Sequence, residues 1–354
     1  MKVMTPHYYK DFRCIAGACT DTCCAGWDVD VDKDSYKYYK TVKGAFGKRL
    51  KSVMVPSQDG ECTFTLKEGG RCPFLNDDNL CDLYIELGED KLCETCAEFP
   101  RFINDYGNIR EIGIAPSCKT AGELMFSYKD ELTFDTVEDN SLTPEPNDID
   151  AYTYMQLRQA RIVAFGIISD RDISIFERLM LYLDYAKRIQ KHLDAERDEL
   201  IAGVAKRFCG ADYREKLLDK LKSRDAKLHG TRLIKGLRHF FDDFKGMEVI
   251  NPDWNIHVAR VRQFLDGLAD DSELAAVMKT YHAGSKAFAH EYEQLAMYYV
   301  YRYMLDAVND YDVLLKAKNA VIGILAVDIM AAANQASGCI PDFTMRVDIA
   351  HLYS

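Results

Sequence analysis

Ten of the twelve cysteines lie in the first 118 residues, at Cys14, Cys19, Cys23, Cys24, Cys62, Cys72, Cys81, Cys93, Cys96 and Cys118; only Cys209 and Cys339 lie beyond. Thiols at this density are either oxidised to disulfides or used as ligands, and compartment separates the two cases. The N-terminus carries no apolar signal core. The longest apolar run, 320–333, contains Asp328 and is shorter than the roughly 20 residues a bilayer requires. The chain is therefore expected in the cytosol, where thiols stay reduced and a cysteine array reads as metal-binding or catalytic.

Three groups stand out: Cys14-x4-Cys19-x3-Cys23-Cys24, then Cys72 followed by Cys81, then Cys93-x2-Cys96 with Cys118 beyond. Four thiolates hold either a tetrahedral zinc or an iron–sulfur cluster. Only Cys93-x2-Cys96 has the tight knuckle spacing of structural zinc, and the wide scatter of the others suits a cluster better. In an extended segment Cys23 and Cys24 would point to opposite faces, so they either serve two centres or one of them is a core residue. The candidate metal ligands are Cys14, Cys19, Cys23, Cys24, Cys72, Cys81, Cys93, Cys96 and Cys118, enough for one or two centres. Cys209 and Cys339 read as ordinary thiols, since isolated cysteines behave like small hydrophobes.

Other chemistry is not encoded. No glycine-rich dinucleotide or phosphate loop occurs, and no HxxxH or HExxH pair. The aspartates at 28, 30, 32 and 34 mimic a calcium loop, but Lys33 and Tyr39 stand where such a loop needs Gly and Glu. The net charge of −11 speaks against a nucleic-acid partner, which calls for a basic footprint.

The elements that position these residues divide in two. Up to about residue 125 the chain is irregular and turn-rich, with a short alternating strand at 27–32 and a short helix near 80–87. A polar stretch with two prolines, 138–148, reads as a linker. Beyond it the apolar spacing is helical, over 152–168, 171–192, 194–208, 213–222, 255–268, 287–308 and 312–335, with Asp170 or Asp172 and Asp312 as N-caps. Asp328 interrupts an apolar face and lies either at the bundle's edge, the favoured placement, or paired with a base. The expected fold is mainly α. An irregular cysteine-rich metal-binding N-terminal domain (1–137) precedes an α-helical bundle (149–354).

Taken together, Tyr9-x2-Phe12-x-Cys14-Ile15, Cys19-x-Asp21-Thr22-Cys23-Cys24-x-Gly26-Trp27, Cys72-Pro73-Phe74-Leu75, Leu80-Cys81, Leu87-Gly88-Glu89 and Thr95-Cys96-x2-Phe99-Pro100-Arg101 resemble the flagellin lysine-N-methylase family. The first 120 residues are also similar to the broader zinc- or iron-chelating cysteine-cluster family. In the helical half, Tyr292-Glu293-Gln294-x3-Tyr298-Tyr299 resembles that family's Glu-Asn-Tyr helix, with Gln294 in place of the usual Asn.

The resemblance implies a cytoplasmic S-adenosylmethionine-dependent enzyme that methylates lysine ε-amines of flagellin and carries an oxygen-sensitive [4Fe–4S] cluster, one or two per chain, with zinc as the alternative metal. It implies flagellin or another lysine-bearing protein as partner and leaves the oligomeric state open. A lysine amine is protonated at neutral pH, its pKa being ~10.4, so methylation by displacement needs a base or a desolvating pocket. Glu293, Tyr298 and Tyr299, on one helix, are the candidate catalytic groups; the alternative is a surface acid with packing aromatics. Trp27 either stacks on the cofactor's adenine or packs beside the metal site. Arg101 either pairs with the carboxylate of the cofactor's methionine moiety, or makes a structural ion pair or neutralises the cluster's charge. The competing reading is a non-catalytic iron–sulfur or zinc protein, for electron transfer or protein interaction.

Overall fold

The computed structural model describes residues 1–57, 61–144, 146–225, 230–244 and 249–354. The chain opens on a strand, β1 (Lys2–Pro6), and makes a single 3-10 turn. It then enters the cysteine-rich segment with β2 (Asp30–Val31), α1 (Lys33–Thr41), α2 (Gly44–Val53), β3 (Met54–Pro56), β4 (Cys62–Phe64), α3 (Asp82–Leu87) and α4 (Glu94–Glu98). A hairpin, β5 (Arg101–Tyr106) and β6 (Ile109–Ile114), leads to α5 (Lys119–Ser127) and β7 (Phe134–Glu138). Helices follow: α6 (Ala151–Ile168), α7 (Ile175–Leu193), α8 (Ile201–Phe208), α9 (Ala211–Asp225), α10 (Arg232–Asp243), α11 (Asp253–Asp266), α12 (Asp271–Ser285), α13 (Ala289–Tyr303), α14 (Ala307–Asp310), α15 (Val313–Ala336) and α16 (Phe343–Tyr353).

Helices α6, α7, α9, α11, α13 and α15 form where the apolar spacing places them, α8 begins only at Ile201, and α10, α12 and α16 lie outside the expected spans. Asp312 caps α15 by accepting from the Leu315 amide. Helix α7 starts at Ser174 rather than at Asp170 or Asp172, because Ser174 and Glu177 satisfy each other's backbone amides in a capping box. The linker at 138–148 is irregular after Glu138 ends β7; its Glu145 lies outside the described residues.

Two sheets form that local pattern alone does not show. In the larger, strand order is β5-β6-β1-β7, with β1 parallel to β6 and antiparallel to β7. The N-terminal strand thus lies inside the sheet. Gly107, at φ 62°, leads the two-residue turn between β5 and β6. Opposite Phe102 the strand carries Gly113, and the Phe102 ring covers it so closely that a Cβ there would lie 2.2 Å from Cζ. The smaller sheet, β2-β4-β3, belongs to the cysteine-rich segment.

The cores divide accordingly. One gathers residues of β1, β5, β6, α5 and the helical half. The other joins Val29, Val31, Tyr39, Leu50, Phe64, Phe74 and Leu83 to Cys62, Cys72 and Cys93. The cysteine-rich segment leaves the larger sheet after Phe12 and returns at Arg101, and these ends touch: the Arg101 guanidinium stacks over Phe12 and Nε donates to the Tyr9 hydroxyl at 3.0 Å. Sheet and bundle are joined by a buried ion pair between Glu111 of β6 and Arg161 of α6, whose Nη1 also donates to the Tyr301 carbonyl of α13. Among the described residues no helix is long and apolar enough to cross a membrane.

Candidate functional site

The thiols are positioned by short backbone pairings. The Cys72 amide donates to the Cys24 carbonyl at 2.8 Å, and Gly26 donates to Gly70, so these two stretches run side by side. A bridge between Leu75 and Cys81 brings Cys81 back toward Cys72. Cys93 caps α4 and Cys96 lies on its first turn. Cys24, Cys81 and Cys96 pack against the core that holds Cys72 and Cys93, whereas Cys118 packs against the other core, at the start of α5.

Electrostatic reach sorts the thiols the same way. Cys72, Cys81 and Cys96 feel Cys24, and Cys118 feels Cys19 and Cys14, while Cys23 feels Cys24 as well as Cys118 and Cys14. Cys23 and Cys24 sit in a turn rather than in an extended strand, and their thiols hydrogen-bond each other. That bond pulls the Cys24 thiol down to about 7, helped by Thr22 and Arg71, and drives Cys23 up. Burial pushes Cys72 up to about 11 and also raises Cys81 and Cys118. The Cys96 thiol likewise rises as it donates to Cys93, whose own thiol is lowered. Among the described residues, no three His, Cys, Asp or Glu side chains stand close enough to hold a metal ion. The two thiol sets are sorted but not drawn together.

Trp27 lies at this junction. Its indole Nε1 donates to the Cys23 carbonyl at 2.8 Å and its ring leans on Phe99. Arg101 holds the neck of the segment, as described above. Beside the Cys23 set, His351 of α16 bonds both Asp21 and the Pro116 carbonyl, which fixes the segment to the helical body and holds the Asp21 carboxyl below its ordinary range.

Glu293, Tyr298 and Tyr299 share α13 but face different neighbours. Glu293 is only 2% exposed and accepts from Arg171 Nη2 at 2.8 Å and from Arg178 Nη1 at 2.6 Å. Arg171 Nη2 also donates to the Lys129 carbonyl, and the Gln294 amide donates to the Asp130 carbonyl. The Glu293-Gln294 pair therefore fastens the loop between α5 and β7. Gln294 Oε1 is buried with no hydrogen-bond partner among the described residues. The Tyr298 hydroxyl accepts from Arg302 at 2.5 Å, its ring meets Phe102, and burial raises its pKa. The Tyr299 hydroxyl lies over Gly323 of α15, where a Cβ would come within 2.6 Å.

A second polar cluster lies nearby. Asp328 sits in the middle of α15 at 1% exposure, not at the bundle's edge, because His282 of α12 covers it: Nε2 lies 2.9 Å from the carboxylate. The Phe176 ring stacks on the imidazole with centroids 4.4 Å apart. The Tyr292 hydroxyl also reaches Asp328 and is joined at 3.0 Å to that of Tyr281. Burial raises the Asp328 carboxyl despite His282 and Tyr292. The sequence signal was the acid within an apolar run; its partner, 46 positions away, carried none.

Comparison with known proteins gives this arrangement its family. Residues 161–354 match the model of the FliB lysine N-methylase C-terminal domain. The chain is 30% identical over 121 residues to the flagellar biosynthetic protein FliU of Salmonella muenchen, covering 33% of this chain and 72% of that protein. It is 29% identical over 121 residues to the lysine-N-methylases of Salmonella choleraesuis and Salmonella typhimurium, covering 33% of this chain and 30% of each. The chain thus spans under a third of the length of those two relatives. No solved structure matches. With its helical half matched from α6 to the C-terminus, the chain belongs to the FliB lysine N-methylase family, a family of protein-lysine N-methyltransferases.

Proposed function

We propose that this chain methylates lysine ε-amines of flagellin in the cytoplasm, with S-adenosylmethionine as methyl donor, and that its N-terminal thiols hold iron–sulfur chemistry. The observation that carries the methylation reading is the lysine N-methylase match across the helical half. The cluster reading is supported by the donor set. Cys24 neighbours Cys72, Cys81 and Cys96 electrostatically, and Cys118 neighbours Cys14 and Cys19, with Cys23 beside Cys118 and Cys14 and also against Cys24; no three of these side chains are drawn together among the described residues. Soft thiolates suit [4Fe–4S] clusters or zinc. Cys93 stands beside Cys96 as its partner. A cluster bound there would supply a redox-active, oxygen-sensitive centre. The chain's own part is to pack Cys24, Cys72, Cys81 and Cys96 against the smaller core and to fix the segment to the helical body through Asp21 and His351.

Purification without oxygen, with iron, acid-labile sulfide and zinc measured per chain, tests the metal reading. Iron and sulfide in equal amounts, with a brown colour lost in air, are expected; stoichiometric zinc in a colourless protein refutes the cluster. Incubation of purified flagellin with S-adenosylmethionine and the chain, read by mass spectrometry of its lysines, tests the activity. The absence of methyl-lysine on flagellin or any other protein offered removes the catalytic reading.

A further inference from the structure

The buried Asp328 is unexplained by packing. A carboxylate in the middle of an apolar helix incurs a desolvation cost that a hydrophobic residue of similar size avoids. A charge kept at such a place, in contact with one imidazole, is the arrangement by which a carboxylate fixes a histidine's tautomer and orientation. Here Asp328 engages Nε2; an ionised Asp328 places the proton on that nitrogen and leaves the lone pair on Nδ1. No residue among those described hydrogen-bonds Nδ1. The imidazole is 31% exposed, so it reaches solvent while its acid does not. The Phe176 ring holds the imidazole plane in place from the α7 side.

The groups around the dyad leave it one charge partner. From α15 comes Asp328; from α13 and α12 come the Tyr292 and Tyr281 hydroxyls. Burial raises both tyrosines, Tyr281 to about 12 and Tyr292 well above its ordinary value, so both are neutral. Behind the tyrosines, Glu291 and Arg346 neutralise each other at 2.6 Å. Tyr281 also walls a cleft of about 330 Å³ between α12 and α15, lined by small residues such as Ala276, Ala332 and Ala336. Tyr281, the residue before His282 on α12, thus opens onto a concavity in a helical half that the family model covers.

We propose that His282, oriented by Asp328, is the proton acceptor for lysine methylation. This rests on the methyltransferase reading above. Nδ1 removes one proton from the lysine ε-ammonium, giving a neutral amine and an imidazolium facing the Asp328 carboxylate. The nitrogen lone pair then forms the N–C bond to the donor methyl as the C–S bond breaks, and that bond's electron pair stays on sulfur. The product is a methylated ammonium and S-adenosylhomocysteine, and the imidazolium returns its proton to solvent. His282 makes the contact with substrate; Asp328 is a positioning residue.

The test compares the parent, His282→Gln and Asp328→Asn for methyl transfer to lysine-bearing protein across pH 5.5–9, with thermal melts of each. General-base assistance is worth roughly 10²–10⁴-fold, so His282→Gln is expected to lose at least 100-fold in kcat with little change in KM and to lose the acidic limb of the rate profile. Asp328→Asn is expected to shift that limb and lower kcat less. Imidazole nitrogen NMR of the parent should show the Nε2-protonated tautomer, and Asp328→Asn should lose that preference. An active parent whose His282→Gln variant keeps its rate and pH profile overturns this proposal alone, as does an Nδ1-protonated tautomer. A parent that methylates no lysine overturns the methyltransferase reading and this proposal with it.

Discussion

Replacing Glu293 by Gln separates a structural acid from a catalytic one. The carboxylate is nearly fully buried and is held by two arginines from the start of α7 and the turn before it. Arg178 is only 6% exposed; it also donates to the Ile168 carbonyl at 2.8 Å and to the Ile173 carbonyl at 3.0 Å. Those carbonyls keep its hydrogen bonds but not its charge balance once Glu293 is neutral. Breaking a buried pair from one side costs about 3–5 kcal/mol. Arg171, 45% exposed, adds at most about 1 kcal/mol, because water screens it. At roughly 2 °C per kcal/mol for a chain of this size, Glu293→Gln should melt about 6–12 °C below the parent. In a double-mutant cycle, Arg178→Met with Glu293→Gln should be less destabilised than the two single variants summed, by more than about 1 kcal/mol. Differential scanning calorimetry of the four proteins supplies both numbers. A Glu293→Gln variant that melts with the parent yet loses methyl transfer would refute the structural reading and return the residue to catalysis.

Three further outcomes are expected. Cys24→Ser and Cys23→Ser should each lose only the metal of their own thiol set, read as iron per anaerobically purified chain, and loss of all iron by either single variant would show one shared centre. Gly323→Ala should destabilise the chain by about 1–3 kcal/mol in urea unfolding, because its Cβ would press on the Tyr299 hydroxyl where α13 and α15 touch. Glu177 is raised by burial but lowered further by Lys222 and Ser174, so it lies below its ordinary 4.5 in the folded chain. Its stabilising contribution is then complete above that value and fades as pH falls through the lower folded value, so the melting gap between the parent and Glu177→Gln should close on acidification.

The helical half was legible because its signals are local. Apolar spacing of three and four residues and a capping aspartate at 312 placed α6, α7, α13 and α15 to within a few residues. Where a stronger local device competed, the boundary moved: Ser174 with Glu177 outbid Asp170 and Asp172 for the start of α7. The larger sheet was not legible, because β1 takes its partners from residues 109–111 and 134–138, and a five-residue strand carries too short a pattern to announce such pairings. Asp328 was visible as an anomaly, but its burial follows from His282 on another helix. The adjacency of Cys23 and Cys24 invited a division of labour; what divides them in the fold is the backbone pairing of Cys24 with Cys72 and the placement of Cys118 at α5.

The neck formed by Tyr9, Phe12 and Arg101 sets an order of assembly. Because both ends of the cysteine-rich stretch emerge at one point of the larger sheet, that sheet and the helices can close while residues 13–100 are still unfinished. The thiols of that stretch then mature against a scaffold that already presents Cys118 at the start of α5 and His351 on α16. The same layout decides how the unit can be removed. Cutting the chain back from its N-terminus would pull β1 out from between β6 and β7, whereas excising 13–100 and splicing Phe12 to Arg101 leaves every strand of that sheet in place.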